Sequence, residues 1–344
     1  FDYMGDSKAD IPVWAAARRA ITVNAGGRLR QAAEKANQDV HHIAPLTGRG
    51  DAVLRAMRPH QWSKNALLFL PMLTSQDLSS LMPVFVGFIA FCLTASAVYV
   101  INDLIDLPSD RAHPRKQKRP FAAGDLNATQ GVVMAGGLLL LALIFGLLTG
   151  NPAFIAVLAA YLASTFAYSL WLKRKLLIDV LMLAGLYTIR IIAGGAAGAI
   201  NLSPWILGFS MFLFLALAAV KRQAELTDQM LSGRTNSGRA YEVEDLPIIS
   251  SIGISAGSAA VLVLALYISS EDVRALYIFP GLLWLVCPLV LYWILRMVMK
   301  THRGQMPDDP IIFAATDKLS LLVIALCIML AVVAAVWPFP VPTI

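Results

Sequence analysis

The residues best able to do chemistry are three aspartates at the end of a long apolar stretch. Asp103, Asp106 and Asp110 are spaced three and four residues apart, so they share one face if a helix continues through them. Three neighbouring carboxylates repel each other unless a cation binds, and ligands that are all oxygen suit Mg²⁺. We therefore predict a magnesium site formed by these acids, with Asn102 orienting them. The alternative is a group of acids simply solvated at a membrane edge.

A basic run follows these acids. It reads His113-Pro114-Arg115-Lys116-Gln117-Lys118-Arg119-Pro120. Lys118 and Arg119 are the better candidates for binding phosphate, because charged N–H donors make strong hydrogen bonds to phosphate oxygens. Such a run also acts as a signal of membrane topology, and both roles can hold.

The composition places these residues in a membrane protein. Of 344 residues, 58% are hydrophobic and 15% are charged, against about a quarter charged in a typical soluble protein. The apolar residues form runs near the length of about 20 residues that a helix needs to cross a bilayer. We predict an all-α polytopic protein with about nine transmembrane helices. The predicted spans are 64–76, 81–101, 129–149, 152–171, 177–199, 204–224, 247–268, 277–299 and 318–337.

Lys and Arg residues fall mainly in alternate connections between these spans. Arg115 and Lys173 follow spans two and four, whereas the connections on the opposite side offer only Arg274. The positive-inside rule then predicts a plasma-membrane protein with a cytoplasmic N-terminus and an outer C-terminus. The net charge of +6 therefore reflects topology, and we expect no nucleic-acid partner.

The three cysteines are far apart and predict neither a disulfide framework nor a zinc site.

Further charged residues lie within the spans. Arg190 is well inside span five, where a buried charge is expensive and usually functional. Asp179 precedes it by eleven residues, close to three helical turns, so it falls on nearly the same face. The alternative for this pair is a structural ion pair between neighbouring helices. Lys221 and Glu225 are one turn apart and could simply pair with each other.

The acidic segment resembles a known motif. Asn-Asp-x-x-Asp-x-x-x-Asp before a basic, proline-containing loop is similar to the first motif of the UbiA superfamily of intramembrane prenyltransferases. The wider pattern, over residues 51–337, is most similar to the decaprenyl-phosphate phosphoribosyltransferase-like members. Four further segments support this resemblance: Arg58-Pro59-His60-Gln61-Trp62-Ser63-Lys64-Asn65, Tyr168-Ser169-Leu170-Trp171-Leu172-Lys173, Arg190-Ile191-Ile192-Ala193-Gly194-Gly195 and Lys221-Arg222-Gln223-Ala224-Glu225-Leu226.

One departure from the superfamily pattern bears on the substrate. Typical aromatic prenyltransferases have a second Asp-x-x-x-Asp motif after span six, where this chain has Lys221 and Arg222. A pair of cations suits a donor that has an additional phosphate. The resemblance thus implies Mg²⁺-dependent transfer of 5-phosphoribosyl from phosphoribosyl pyrophosphate to a polyprenyl phosphate at the cytoplasmic face. The alternative is transfer of a prenyl group from a prenyl diphosphate to an aromatic or other acceptor.

The expected substrate-binding residues follow from this resemblance and from charge. Two of them have simpler roles open to them, since Tyr168 could be an interfacial anchor and Lys173 could extend its ammonium group to the interface. A transporter is disfavoured, because the ionisable groups cluster on one side of the membrane. The expected set is Arg58, Lys64, Lys118, Arg119, Tyr168, Lys173, Asp179, Arg190, Lys221, Arg222 and Glu225.

Residues 1–50 are polar and differ from the rest. The segment Gly5-Asp6-Ser7-Lys8-Ala9-Asp10 resembles the fourth motif of haloacid-dehalogenase-type phosphatases, whose acids help to hold Mg²⁺. The alternative is an acidic turn capped by Asp6 or Ser7. Because the chain starts at the strand that bears this motif, we predict a truncated remnant without phosphatase activity at 1–50 and a UbiA-like transferase domain at 51–344. The pattern predicts strands at 1–4 and 20–24 and helices at 11–19 and up to residue 38.

Overall fold

The computed structural model of the chain describes residues 1–23, 25–43, 49–232, 240–307 and 309–336. The ends of two predicted elements, Asn24 and residue 337, lie outside these ranges. The protein is mainly helical, which confirms the predicted fold class. Its α-helices are α1 (Ile11–Ala16), α2 (Gly27–Ala36), α3 (Arg49–Met57), α4 (Leu70–Ser75), α5 (Leu81–Ile105), α6 (Leu107–Ala112), α7 (Ala128–Leu148), α8 (Pro152–Leu170), α9 (Ile178–Gly198), α10 (Pro204–Ser232), α11 (Leu246–Ser269), α12 (Glu271–Leu276), α13 (Val286–His302), α14 (Pro310–Thr316) and α15 (Lys318–Val336).

A small parallel sheet forms at the start of the chain. Its strands are β1 (Asp2–Gly5), β2 (Arg19–Val23) and β3 (Val40–Ile43), in the order β1-β2-β3. The helices α1 and α2 make the crossovers that parallel strands require, and Trp14, Ala20 and Ala33 form a small core. The sequence does not reveal β3, because His41 and His42 interrupt its apolar residues.

The turn after β1 is closed by Asp10. Its Oδ2 accepts hydrogen bonds from the backbone N–H groups of Asp6 and Ser7, both at 2.9 Å, and from the Ser7 hydroxyl at 3.0 Å. A Cβ atom on Gly5 would lie 2.5 Å from this carboxylate, so the turn requires glycine there. Hydrogen bonds from Ser7 hold the pKa of Asp10 below its ordinary value. The acidic segment therefore has a structural role at this turn.

Eight helices in the described ranges are long and apolar enough to cross a membrane. They correspond to the second through ninth predicted spans. Region 64–76 differs, since a 3₁₀-helix, Pro59–Phe69, is followed there by the short α4. Pro71 in the first turn of α4 lacks the N–H donor that a continuous helix needs, and Gln76 ends α4 with a φ of 55°. The eight segments are Leu78–Ile105, Ala128–Leu148, Pro152–Leu170, Ile178–Gly198, Pro204–Ser232, Val243–Ser269, Pro280–His302 and Lys318–Val336.

The outward faces of these helices are apolar. Leu140 and Leu147 of α7 are 60% and 63% exposed, and Leu322 and Ile328 of α15 are 53% and 59% exposed. Apolar surface on this scale is unfavourable in water but suits a hydrocarbon solvent. The chain is therefore a multi-pass membrane protein.

The chain divides into two compact units. The first unit comprises residues 1–60 and 96–138, and the second comprises residues 61–95 together with the chain from 139 onward. In the second unit, Gly194 of α9 lies directly against the Leu68 carbonyl, where an added Cβ would come within 1.9 Å of the oxygen. Glycine thus permits a close approach that positions the polar residues of α9.

Candidate active site

The acidic segment lies where α5 ends. The helix stops one residue before Asp106, and α6 begins one residue after it with Pro108 in its first turn. A proline fits the first turn of a new helix because no N–H donor is needed there. Asp103 and Asp110 consequently lie on two successive helices. The backbone N–H groups of Asp106 and Asp110 still donate to the carbonyls of Asn102 and Asp106, both at 2.9 Å, so the helical hydrogen bonding continues across the break.

Arg119 joins two of the acids. Its Nη1 donates to Oδ1 of Asp103 at 3.1 Å and to Oδ2 of Asp110 at 2.6 Å. Arg58 donates from Nη2 to the same Asp103 oxygen at 2.6 Å. We call Arg58, Asp103, Asp110 and Arg119 the pocket cluster. Its two carboxylates and two guanidinium groups balance in charge.

Arg58 makes its contact from a strained backbone position. It follows α3 with a φ of 53°, in the left-handed region that costs a non-glycine residue about 1 kcal/mol or more. Its guanidinium lies over the Tyr99 ring, 5.1 Å from the centroid. The hydroxyl of Ser96 donates to the Met57 carbonyl at 2.9 Å and so ties the end of α3 to α5. These contacts keep the Arg58 side chain beside the acids.

An open pocket of about 470 Å³ lies beside the pocket cluster. Five Lys or Arg residues and one His line it, and Asp103 is the one carboxylate in that lining. A concave surface with this excess of positive charge favours an anionic ligand. The lining residues are Leu54, Arg55, Arg58, Pro59, His60, Asp103, Arg115, Lys118, Arg119 and Pro120.

The cations around this pocket are not equally engaged. Arg55 donates to Asp125 at 2.6 Å, and Arg58 and Arg119 bind the acids of the pocket cluster. Lys118 is exposed and makes no hydrogen bond or ion pair with any residue that the structure describes. Of the predicted phosphate-binding residues in this unit, Lys118 is therefore the one whose charge is not already opposed by a carboxylate.

The acids of the pocket cluster fit a magnesium ion. Nowhere in the described ranges do three Asp, Glu, His or Cys side chains assemble into a metal-binding group, and the side chains of Asp106 and Asn102 make no hydrogen bond there. However, Oδ1 of Asp110 is buried without a hydrogen-bond partner among the described residues, which is costly unless a cation approaches. Mg²⁺ usually binds one or two carboxylates and completes its shell with water and substrate phosphate. Asp103 and Asp110 meet that requirement.

A second group of charges lies in the second unit, between α9 and α10. Arg222 donates to Asp179 and to Glu225, and the side chains of Arg222 and Asp179 are 1% and 0% exposed. The Tyr241 ring lies 5.1 Å from the guanidinium. We call Asp179, Arg222, Glu225 and Tyr241 the buried cluster. Burial raises the pKa of the Tyr241 hydroxyl, and the Asp179 carboxylate raises it further.

Arg190 has different partners from those of Asp179. Its Nε donates to Oδ1 of Asn65 at 2.9 Å and its Nη2 to the Tyr161 hydroxyl at 3.3 Å, while three aromatic rings lie within 5.5 Å of the guanidinium. Asp179 instead makes an ion pair between neighbouring helices, with Arg222 as its partner. Asp179 thus belongs to an ion pair between helices that joins it to Arg222, whereas Arg190 binds Asn65.

The remaining predicted residues are spread over the second unit. Lys64 donates to Asp309; burial alone would raise the pKa of that carboxyl, but Lys64 and Lys221 hold it below its ordinary value. The Tyr168 hydroxyl lies close enough to Asp179, Arg222 and Glu225 for their charges to act on it. Lys173 is half-buried and makes no hydrogen bond or ion pair in the described part of the chain.

The sequence did not identify several partners of these residues. Asp309 contacts Lys64 across 245 positions and Asn65 contacts Arg190 across 125 positions, and no local pattern reports such contacts. Arg55 was also missed as a pocket residue. Helical spacing gives no signal for it, because Arg58 lies outside α3 with a φ of 53°.

Comparisons with known proteins agree on a family. Residues 66–316 match the model of the UbiA prenyltransferase family. The chain is 36% identical over 333 residues to uncharacterized protein y4nM of Sinorhizobium fredii, a match that covers 95% of this chain and 64% of that relative, less than two thirds of its length. It is 31% identical over 306 residues to decaprenyl-phosphate phosphoribosyltransferase of Corynebacterium glutamicum, covering 86% of this chain and 90% of the relative.

A solved structure has a similar fold. It is that of a UbiA homologue from Archaeoglobus fulgidus bound to DMAPP and Mg²⁺, with a TM-score of 0.60 and 17% sequence identity. The match covers 82% of this chain and 99% of that chain. At this level of identity the likeness concerns the fold, which supports the helical arrangement described above.

Proposed function

The chain belongs to the UbiA prenyltransferase family, and on that premise we propose that it transfers a 5-phosphoribosyl group from phosphoribosyl pyrophosphate to a polyprenyl phosphate. It is a multi-pass membrane transferase. The observation that carries the proposal is the basic pocket beside the pocket cluster. The relative from Corynebacterium glutamicum, whose name gives a phosphoribosyl group as the transferred group and decaprenyl phosphate as its acceptor, supports it.

The charge of the pocket bears on the donor. Phosphoribosyl pyrophosphate has anionic groups at two ends of a sugar, whereas a prenyl diphosphate has one anionic end and an apolar chain. Five cations line the pocket, and two of them, Arg58 and Arg119, are bound to Asp103. We assign the pyrophosphate to Arg58 and Arg119 and the 5-phosphate to the exposed Lys118. A prenyl diphosphate has no second anionic group that Lys118 could bind.

The same comparison of charges argues against Arg222 as the contact for the 5-phosphate. The sequence suggested Lys221 and Arg222 for this role. The Arg222 guanidinium is buried and bound to Asp179 and Glu225, so its charge is already compensated. Exposing it to a phosphate would break its ion pair with the buried Asp179 carboxylate, at a cost of several kcal/mol. The 5-phosphate is therefore better placed on Lys118.

The reaction needs no general base. The lipid phosphate is already an anion, so one of its oxygens attacks C1 of the ribose while the bond from C1 to pyrophosphate breaks. The bonding electrons leave with the pyrophosphate, and donors on Arg58 and Arg119 stabilise the negative charge that develops there. A Mg²⁺ ion held by Asp103 and Asp110, with Asp106 as the third acid of the segment, would supply further neutralisation of that charge.

We propose that this reaction takes place at the cytoplasmic face, with the N-terminus inside and the C-terminus outside. Because the eight long helices alone would leave both termini on one side, this orientation requires that residues 59–75 cross the membrane as well. A cysteine at position 115 should be protected from an impermeant thiol reagent in intact cells, while one at position 270 should react. The reverse labelling would contradict the orientation. We also propose that residues 1–50 are haloacid-dehalogenase-like and that 51–344 form the transferase domain.

The test of the proposed function uses purified protein in detergent with labelled phosphoribosyl pyrophosphate and a polyprenyl phosphate. We expect a labelled lipid that forms with Mg²⁺ and is lost when EDTA is added. A matched reaction contains geranyl diphosphate and an aromatic acceptor in place of these substrates. Product in the second reaction and none in the first would establish prenyl transfer, the alternative, instead.

A further inference from the structure

Arg119 contacts both of the carboxylates that would hold a metal ion. Its Nη1 is shared between Asp103 at 3.1 Å and Asp110 at 2.6 Å, and both carboxylates are buried. Two buried carboxylates without a cation repel each other and are poorly solvated. Arg119 relieves both penalties, so it does part of what a divalent cation would do at the same acids.

The charges of the pocket cluster make a metal ion unfavourable on its own. Two carboxylates are balanced by two guanidinium groups, and a divalent cation added to this group would create an excess charge of +2. An arriving anion removes that excess and gives Arg119 another partner, because guanidinium binds phosphate oxygens as well as carboxylates. The neighbouring pocket already has a strongly positive lining, so it offers a place for the anion.

We propose that Arg119 is a placeholder cation that couples metal binding to pyrophosphate binding. With the pocket empty, Arg119 neutralises Asp103 and Asp110. When pyrophosphate binds, Arg119 exchanges the carboxylates for phosphate oxygens and thereby releases them to the metal ion. Each ligand then favours the other, as reciprocal coupling requires. Asp110 is suited to this exchange, because its Oδ1 is buried and has no partner among the described residues.

The inference rests on the proposed function only in that pyrophosphate is the leaving group. A prenyl diphosphate donor releases pyrophosphate as well. A failure of phosphoribosyl transfer would therefore leave this coupling intact and separately testable.

The experiment measures Mn²⁺ bound to the detergent-purified protein by equilibrium dialysis, with and without inorganic pyrophosphate at matched free Mn²⁺. In the wild type we expect pyrophosphate to tighten Mn²⁺ binding by about 10-fold, a typical size for coupling between two sites. In Arg119→Gln, Mn²⁺ alone should bind more tightly than in the wild type, and pyrophosphate should change that affinity less than about 2-fold. Arg119→Lys, which retains the charge, should retain part of the coupling.

Arg111→Gln is the matched control, because Arg111 is an exposed cation of α6 that does not line the pocket. It should show wild-type coupling, and the melting temperatures of all variants should be compared to establish folding. The proposal is overturned if Arg119→Gln binds Mn²⁺ alone no more tightly than the wild type. Wild-type coupling in that variant would overturn it equally.

Discussion

The pocket cluster and the buried cluster contain the same kinds of groups in different surroundings. Each has an arginine that binds two carboxylates. In the pocket cluster the side chains of Arg58 and Arg119 are 20% and 27% exposed, and an anion-binding pocket lies beside them. In the buried cluster Arg222 and Asp179 are 1% and 0% exposed. The arginines of the pocket cluster are thus accessible to solvent and can exchange partners. The arginine of the buried cluster is not accessible, so its partners are fixed.

This difference determines which basic residues of the chain can bind a substrate. A buried guanidinium with two carboxylate partners contributes to structure, and its net charge is not available to a substrate. A partly exposed guanidinium beside a positive pocket can release a carboxylate because water reaches the guanidinium during the exchange. We therefore expect substitutions in the pocket cluster to affect turnover and substitutions in the buried cluster to affect stability.

The largest effect on activity should come from Asp103→Asn. Loss of a charged contact that orders both arginines and the metal ion should lower kcat/KM by at least about 100-fold, or roughly 3 kcal/mol. The melting temperature should change little, because the arginines are partly exposed. Asp228→Asn, at an exposed acid of α10, should leave both quantities unchanged.

Asp106→Asn measured at saturating Mg²⁺ tells whether the third acid contributes, and near-normal activity would remove it from the metal site.

The largest effect on stability should come from Arg222→Met. It breaks the buried ion pair between Arg222 and Asp179 by removing one of its two charges, which should cost about 3–5 kcal/mol. The double variant Asp179→Asn/Arg222→Met should recover much of that loss, because it removes both charges. Thermal unfolding in detergent measures these changes. A wild-type melting temperature together with a lost activity in Arg222→Met would show that Arg222 contacts a substrate and is not a structural residue.

A moderate effect is expected for Lys118→Gln. If Lys118 binds the 5-phosphate from an exposed position, its loss should raise the donor KM by about 10-fold, or roughly 1.4 kcal/mol. The difference between variant and wild type should shrink at high salt, since exposed charges are screened. Lys116→Gln is the control, because Lys116 belongs to the same basic loop but does not line the pocket. Equal donor curves for both variants would contradict the assignment.

The smallest effect concerns the Lys64–Asp309 pair. In the wild type the pKa of Asp309 is below its ordinary value, so its contribution to stability is complete above pH 4–5 and is lost only as the pH falls through that lowered pKa. In Lys64→Met, burial should raise the pKa of Asp309 above its unfolded value. That contribution is then present at acid pH and is lost as the pH rises.

The melting temperature of Lys64→Met should therefore decrease as the pH rises above about 4, the unfolded pKa of an aspartate, while that of the wild type stays level. Lys64→Met/Asp309→Asn should be level again, because the titrating group is absent. A level profile for the single variant would mean that Lys221, the other cation facing Asp309, is sufficient to hold its charge.

The membrane helices were predictable because lipid imposes length and apolarity on every span. Their polar ends were not. Span six was expected to end near residue 224, whereas α10 continues to Ser232, because charged residues past the apolar run carry no hydropathy signal. The first predicted span is interrupted for a local reason, Pro71, that the sequence displays but whose consequence depends on packing.

The sequence allowed us to predict which types of residue form the candidate site, but not which of these residues contact each other. The spacing of Asp103 and Asp110 assumed a continuous helix, yet a break at Asp106 separates them and Arg119 brings them to one guanidinium. Asp179 and Arg222 lie 43 positions apart. Helical periodicity tells which residues share a face of one helix, but it does not tell which helices are neighbours.

The most direct test of the central claim offers both donors to the enzyme in one reaction. Wild-type protein is incubated with Mg²⁺, a polyprenyl phosphate, an aromatic acceptor, phosphoribosyl pyrophosphate and geranyl diphosphate, and the lipid products are identified by mass spectrometry. We expect polyprenyl phosphate extended by one phosphoribosyl group, with loss of that product in Asp103→Asn. A prenylated acceptor as the main product, with no phosphoribosylated lipid, would contradict the account.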